Sequence, residues 1–333
     1  MGDVAMAVPV IKAVLATYPD LHITFVSNSF HEPFFYGIER CKFFGADTKG
    51  LHKGFMGLWT LFRQLSKLHH YEGLADLHDV LRSKILRLFF TLSGTHATVI
   101  DKGRASKKEL TSKEHKILRQ LPTSHERYAK VFALLGLPVD LSAGLFLKSR
   151  EPIPGHVQGL LNANKRLIGV APFARHPEKM YPLQKMKLFL QQLNERKDVQ
   201  LLFFGAAGTE AMQLAEWQQE FPGSLNVAGK ISLEEELNLF SNLSLMISMD
   251  SANMHIASVY GVPVVSIWGA THPFAGFYGW GQNESNIVQA ELYCRPCSVF
   301  GNKPCFRGDH ACMHLISSEM IMQRVQLVLD RDS

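Results

Sequence analysis

The run Asp250-Ser251-Ala252-Asn253-Met254-His255 places a carboxylate, a hydroxyl, a small residue and an imidazole within six positions. The apolar residues 243–249 before it read as a buried parallel strand, 251–260 have helical length, and 262–267 are β-branched again, a β-α-β unit. Asp250 therefore stands where a strand stops. Ser251 caps the helix that follows, and the free backbone N–H groups of that helix make a site for phosphate. Ala252 leaves room for a close approach. His255 lies on the same helix face as Ser251 and can donate to a diphosphate oxygen. A carboxylate repels phosphate at short range, so the partners expected for Asp250 are hydroxyl groups such as those of a sugar. A plain capped core helix explains the same residues equally well when the segment is taken alone.

A second carboxylate, Asp3, follows Gly2 at the start of a helical pattern over 4–18. Its ordinary use is to cap that helix. Its chemical use is as a general base on a sugar hydroxyl, whose proton becomes acidic only as the oxygen attacks. A doubly wound domain normally has a strand before such a turn, and the expectation is that this first strand is missing. Residues 21–27 alternate as a strand, 30–68 are irregular and aromatic until a helix over 55–68, and 73–77 is a short strand. That strand leads into Asp76, His78, Asp79 and Arg82, which suit either acceptor contacts or a solvated loop.

Five strands follow in the second half, at 167–171, 199–204, 225–227, 243–249 and 262–267, with helices at 183–194, 210–220, 233–240 and 317–329. Alternation of this kind builds a parallel sheet with ligands at its strand ends. Those ends carry Arg175 and Lys179, then Gly205 to Gly208 with Glu210, then Gly229 and Lys230, then the Asp250 run, then Gly269 and Thr271. Glycines, cations and carboxylates converge on one crevice.

With 333 residues, 46% hydrophobic and 20% charged, the chain is ordinary globular material for two domains, 1–150 and 151–333, joined through the Pro- and Gly-containing stretch 141–166 and facing a cleft. The net charge of +5 suits acidic small molecules or an anionic membrane surface and falls short of a nucleic-acid footprint. Residues 101–127 hold eight Lys or Arg against four acids, a basic patch fit for a phosphorylated acceptor or lipid heads, or simply a solvated face. No apolar run reaches the ~20 residues of a membrane span, and the start lacks the pattern of a signal peptide, so the expected compartment is the cytoplasm. Cys294, Cys297, Cys305 and Cys312 read as a structural zinc site or as a loop of reduced thiols.

Gly2-Asp3-Val4 with Pro9, Lys179-Met180-Tyr181-Pro182, Phe204-Gly205, the Asp250–His255 segment, Gly261-Val262-Pro263 and Trp268-Gly269-Ala270-Thr271 together resemble the heptosyltransferases of lipopolysaccharide core synthesis, glycosyltransferase family 9. The resemblance runs over nearly the whole chain. It implies an α/β fold of the GT-B type with two Rossmann-like domains, a first domain for the acceptor and a second for ADP-heptose, and transfer without metal. It assigns Asp3 as catalytic base and Lys179 as the cation that neutralises the donor. Glu210 would hold ribose hydroxyls, the backbone near Ile231 would read adenine, and Asp250 would hold the donor sugar. Ser251, Ala252 and His255 would hold the diphosphate, with Arg175 and Asn253 completing the donor set. The implied partners are an ADP-sugar and a lipopolysaccharide core or other glycolipid, met by a monomer in the cytoplasm with peripheral contact on the inner membrane. The chain departs from the family in lacking the strand before Gly2, in having Ser251-Ala252 where Thr-Gly is usual, and in a one-residue length difference near Glu210. The competing readings are transfer of another nucleotide-activated sugar, a non-catalytic sugar-nucleotide binding protein and, less well matched, a nucleotide-sugar epimerase.

Overall fold

The computed structural model of the protein describes residues 1–330; the last three residues of the second expected domain lie outside them. In chain order the first elements are α1 (Gly2–Thr17), β1 (Ile23–Ser27), β2 (Cys41–Gly45), α2 (Gly54–Leu68), β3 (Gly73–Asp76), α3 (Leu81–Leu92), β4 (His96–Val99), α4 (Arg104–Leu110) and α5 (Ser124–Leu134). There follow α6 (Gly155–Gln158), β5 (Arg166–Ala171), α7 (Leu183–Asn194), β6 (Val199–Phe203), α8 (Thr209–Glu220), β7 (Leu225–Asn226), α9 (Leu233–Phe240) and β8 (Leu245–Met249). The chain then runs through α10 (Ala252–Val259), β9 (Val264–Trp268), β10 (Ile287–Gln289), α11 (Ala311–His314) and α12 (Ser318–Leu329).

The chain divides into two compact units. One holds Met1, Asp3–Arg104 and Pro122–Phe146, the other Gly2, Ala105–Leu121 and Leu147 onward. The segment Ala105–Leu121, which the sequence reading left in the first domain, thus packs with the second.

In the first unit α1 is apolar on nearly every face and is buried from Val4 through Ile11 and again from Ala13 to Leu15, so it is an interior helix. The strands of this unit form two separate parallel pairs, β1 with β2 and β3 with β4. No strand precedes α1 among the described residues. The sequence reading found β1, α2 and β3, and it missed β2 and β4, which are short and only partly buried. Leu58, Leu61 and Leu65 of α2 meet Phe89 and Phe90 of α3 in a core of their own.

The second unit is one parallel sheet of six strands in the order β10-β9-β8-β5-β6-β7. Strands β6, β8 and β9 are buried at every position, which explains why they read as continuous apolar runs. The chain moves outward from β5 to β7, then returns to β8 and moves the other way, so the strand order reverses between β5 and β8. In open parallel sheets the crevice outside the carboxyl ends at such a reversal is where ligands bind. With Ala171 paired to Ser248, the segments that leave β5 and β8 emerge side by side there.

The core of this unit rests on large rings, with Phe203 fully buried against Trp217 and Phe221. Phe203→Ala is expected to cost about 3–5 kcal/mol. Urea unfolding followed by far-UV circular dichroism measures it.

Candidate functional site

The segment leaving β5 runs through Arg175 to a 3₁₀ turn, Pro177–Lys179, and the segment leaving β8 opens at once with Asp250. Lys179 Nζ lies 2.8 Å from Asp250 Oδ2, and both side chains are largely buried. Two opposite charges withdrawn from water need each other, and either one left alone would be destabilising by several kcal/mol. The pair therefore fixes the end of the Lys179 side chain over the end of β8.

Ser251 is the N-cap of α10 in extended conformation, yet its hydroxyl does not cap the helix. It lies 3.1 Å from the Ser248 hydroxyl, which itself donates to the Met249 carbonyl, so the Ser251 proton points to Ser248 Oγ. The first N–H groups of α10, on Ala252 and Asn253, have no side-chain cap and stand at half-buried positions. One turn on, His255 is buried and its Nδ1 has no hydrogen-bond partner. Burial, helped by the charge of Lys179, pushes the His255 imidazole down to about 3. At neutral pH it is a neutral ring, able to give one N–H to an anion without carrying charge. Thr271, beyond the end of β9, likewise has a buried hydroxyl without a partner. The ends of neighbouring strands thus carry an ion pair, uncapped helix N–H groups and two unpartnered buried polar atoms, groups that oxygens of a ligand could satisfy.

The other expected donor residues are placed less completely. Glu210 opens α8, and its Oε2 accepts from the backbone N–H of Ala206 at 2.7 Å, so half of this carboxylate holds its own loop and one oxygen is left to bind. Ile231 is half-buried just before Ser232, whose capping box with Glu235 starts α9. Arg175 is exposed.

Asp3 belongs to the first unit. It stands in the first turn of α1, whose N-cap is Met1 with no side-chain cap, so its carboxylate is not spent on capping. The group is well exposed and 4.0 Å from His78 Nε2. Tyr128, buried beneath, is pushed up by burial and then by the Asp3 charge. The neighbouring polar cluster divides into two kinds. Asp76 is buried and fully occupied, accepting from His78 N at 3.0 Å, Asp79 N at 2.8 Å and Arg87 at 2.8 Å. His78 and Arg82 stay open to solvent.

The sequence reading missed the support behind Lys179. Glu178 Oε2 pairs with His310 Nδ1 at 3.0 Å, and the Glu178 carbonyl accepts from Ala270 N at 3.2 Å. The Ala270 carbonyl in turn accepts from Cys297 N at 3.0 Å. Arg295, almost wholly buried, donates to the carbonyls of Gly269, Ala290 and Thr271 and to Gln289 Oε1. Gly301, at φ +73°, lies against the Lys179 stem, and a Cβ there would overlap Cγ and Cδ of the lysine. The cysteine-rich loop is thus a backing plate for the Lys179 turn. Two glycines, Gly301 and Gly308, lie among the cysteines, and nothing in the sequence marks Gly301 as the one that meets Lys179. Among the described residues, no three His, Cys, Asp or Glu side chains are placed to hold a metal ion. Burial pushes the Cys312 thiol up to about 11 and raises that of Cys297.

The sequence profile of glycosyltransferase family 9 (heptosyltransferase) matches residues 58–304. Lipooligosaccharide heptosyltransferase 2 of Campylobacter jejuni (serotype O:6) is 26% identical over 196 residues, a match that takes in 56% of this chain and 57% of that protein. The chain thus spans little more than half the length of that relative. The crystal structure of the glycosyl transferase family 9 from Veillonella parvula superposes with a TM-score of 0.77 at 19% identity, covering 99% of this chain and 95% of that one. E. coli heptosyltransferase WaaC with ADP gives 0.68 at 15% identity, covering 98% and 97%. The fold is therefore α/β of the GT-B type, with two Rossmann-like units.

Two outcomes follow from this geometry. Gly301→Ala, which combines a left-handed backbone with overlap on Lys179, should cost about 1–3 kcal/mol of stability, read by thermal unfolding. His272 is also pushed down, to about 4, by burial and then by Arg295 and Lys116. The unfolded chain takes up protons near 6.5 that folded His255 and His272 refuse. Stability is then complete above about pH 7 and falls as pH drops from 6.5 towards 4, by about 1.4 kcal/mol per pH unit for each imidazole. Urea unfolding between pH 7.5 and 5 should show this slope, and a His255→Gln, His272→Gln double variant should flatten it.

Proposed function

The chain belongs to glycosyltransferase family 9 (heptosyltransferase), and on that footing we propose that it moves heptose from ADP-heptose to a hydroxyl of a lipopolysaccharide core acceptor with inversion. Asp3 takes the proton of the acceptor hydroxyl as that oxygen attacks the anomeric carbon. The bond from that carbon to the diphosphate breaks on the opposite side, and ADP leaves with the electron pair. Its growing charge meets the Lys179 ammonium, the neutral N–H of His255 and the first N–H groups of α10, all in place before the reaction begins. Asp250 holds the sugar hydroxyls while its other contact keeps Lys179 aligned. Glu210 takes the ribose with its free oxygen, the backbone at Ile231 reads the adenine, and Arg175 and Asn253 complete the donor set. No step calls on a metal.

The observation that carries this reading is the buried Lys179–Asp250 pair beside a neutral His255 with an unpartnered nitrogen. A pocket built only for structure would have satisfied that atom. A solved relative that holds ADP supports the choice of nucleotide. The working state we propose is a monomer in the cytoplasm, in peripheral contact with the inner membrane that carries its acceptor. It agrees with this that no helix among the described residues is long and apolar enough to cross a membrane.

Titration calorimetry with ADP, UDP and GDP tests the donor, and transfer from ADP-heptose to extracted core acceptor tests the chemistry. ADP should bind best, Lys179→Ala should weaken it at least tenfold, and Asp3→Asn should leave ADP binding within about twofold while lowering transfer by about 10²–10⁴. A preference for UDP or GDP would overturn the heptose assignment. ADP binding without transfer in the wild type would leave a sugar-nucleotide binding protein.

A further inference from the structure

Large apolar side chains stand in water along one stretch of the first unit. On α2, Phe55 is 60% exposed, Met56 71% and Trp59 39%; on α3, Leu81 is 74% exposed, Leu88 51% and Leu92 77%. These positions follow helical spacing, 55, 56 and 59 on one helix and 81, 88 and 92 on the other, so each set forms an outward stripe. The two stripes adjoin, because the rings of Phe55 and Trp59 both meet Phe89, the neighbour of Leu88. Both helices already bury an inner face in a common core, so the outer one is not needed to hold them together.

The charges on these helices have one sign. Neither α2 nor α3 contains an aspartate or glutamate, whereas Arg63, Lys67, Arg82 and Lys84 are exposed on them. Of the nearby acids Glu72 alone is exposed between the two helices, and the others are already engaged, two of them with α3 itself. Asp76 is bound to Arg87, Asp79 lies within ion-pair distance of Lys84, Arg87 and Arg104, and Asp47 accepts from the backbone of its own turn. A second copy docked face to face would set cation against cation with no acid on either helix to answer it. A bilayer with anionic headgroups answers both halves of the surface, taking the apolar stripes at the acyl boundary and the cations at the phosphates.

We propose that the outer face of α2 and α3 is a docking surface for an anionic lipid bilayer. It gives the membrane contact a location distinct from the basic segment 101–127, and it stands on surface chemistry alone, independent of the donor assignment. Trp59 is the tryptophan of this face; Trp217 and Trp268 are buried in the other unit and Trp280 is half-buried there, so the Trp59 signal is read as the difference between the wild type and Trp59→Leu.

The test is co-flotation of the full chain with vesicles of phosphatidylglycerol and phosphatidylethanolamine, against phosphatidylcholine alone. Binding should be confined to the anionic vesicles, weaken with salt, and shift Trp59 emission to the blue, a shift absent in Trp59→Leu. A Phe55→Ser, Met56→Ser, Leu88→Ser, Leu92→Ser variant, checked for an unchanged melting curve, should bind on the order of a hundredfold more weakly. Arg63→Glu with Arg82→Glu should also abolish flotation. No binding at low salt, binding that survives the fourfold variant but is lost with Lys102→Glu and Lys108→Glu, or a concentration-dependent dimer abolished by the fourfold variant would each overturn the proposal.

Discussion

The arrangement of the second unit depends on keeping a lysine and an aspartate together out of water. Lys179 and Asp250 come from segments that are neighbours only because β5 and β8 are paired, and the pair sits where the strand order reverses. Desolvating both groups is unfavourable in itself, so the contact is worth having only where its geometry is enforced. Enforcement comes from two directions. The strand pairing sets Asp250, and the loop carrying Arg295, Gly301 and His310 sets the turn that carries Lys179. The loop is anchored in turn by a guanidinium that fills four acceptor sites.

Beside that pair the electrostatics are graded. His255 is kept uncharged by its burial and by the lysine, so an incoming diphosphate would meet one full cation, one neutral donor and the partial charge of a helix start. A site with several full cations would bind phosphate more tightly but would also release it more slowly. Pairing the lysine with a carboxylate limits that, and the carboxylate remains able to touch sugar hydroxyls.

The sequence was most legible where burial is complete. β5, β6, β8 and β9 and the helices between them were readable because a sheet covered on both faces demands unbroken apolar runs, and the residues after those runs were then necessarily at the strand ends. Asp250 and His255 follow from that, whereas Lys179, in a turn eight residues beyond β5, was singled out only by the family resemblance. In the first unit the strands are short and half-exposed, so β2 and β4 had no pattern to announce them, and the sheet's division into pairs has no local signature. The clamp behind Lys179 was also hidden, because Glu178 and His310 lie 132 positions apart in the chain and meet only through two loops. The cysteines drew attention to this loop, but they are not what supports Lys179. Its part in the site comes from a glycine, an arginine and a histidine between the thiols.

The chain's path has a consequence for its synthesis. Residues Ala105–Leu121 leave the ribosome among those of the first unit but belong to the second. Leu121 donates to the carbonyl of Phe274, Lys107 sits over the ring of Phe277, and Lys116 reaches the carbonyls of Cys294 and Pro296. None of those partners exists until more than 150 further residues have been made. The segment must wait, tethered at both ends to a unit that can already be compact, and its closure is among the longest-range events in the fold. A single cut between the units would not yield two complete halves, since the second would lack a piece that is encoded inside the first.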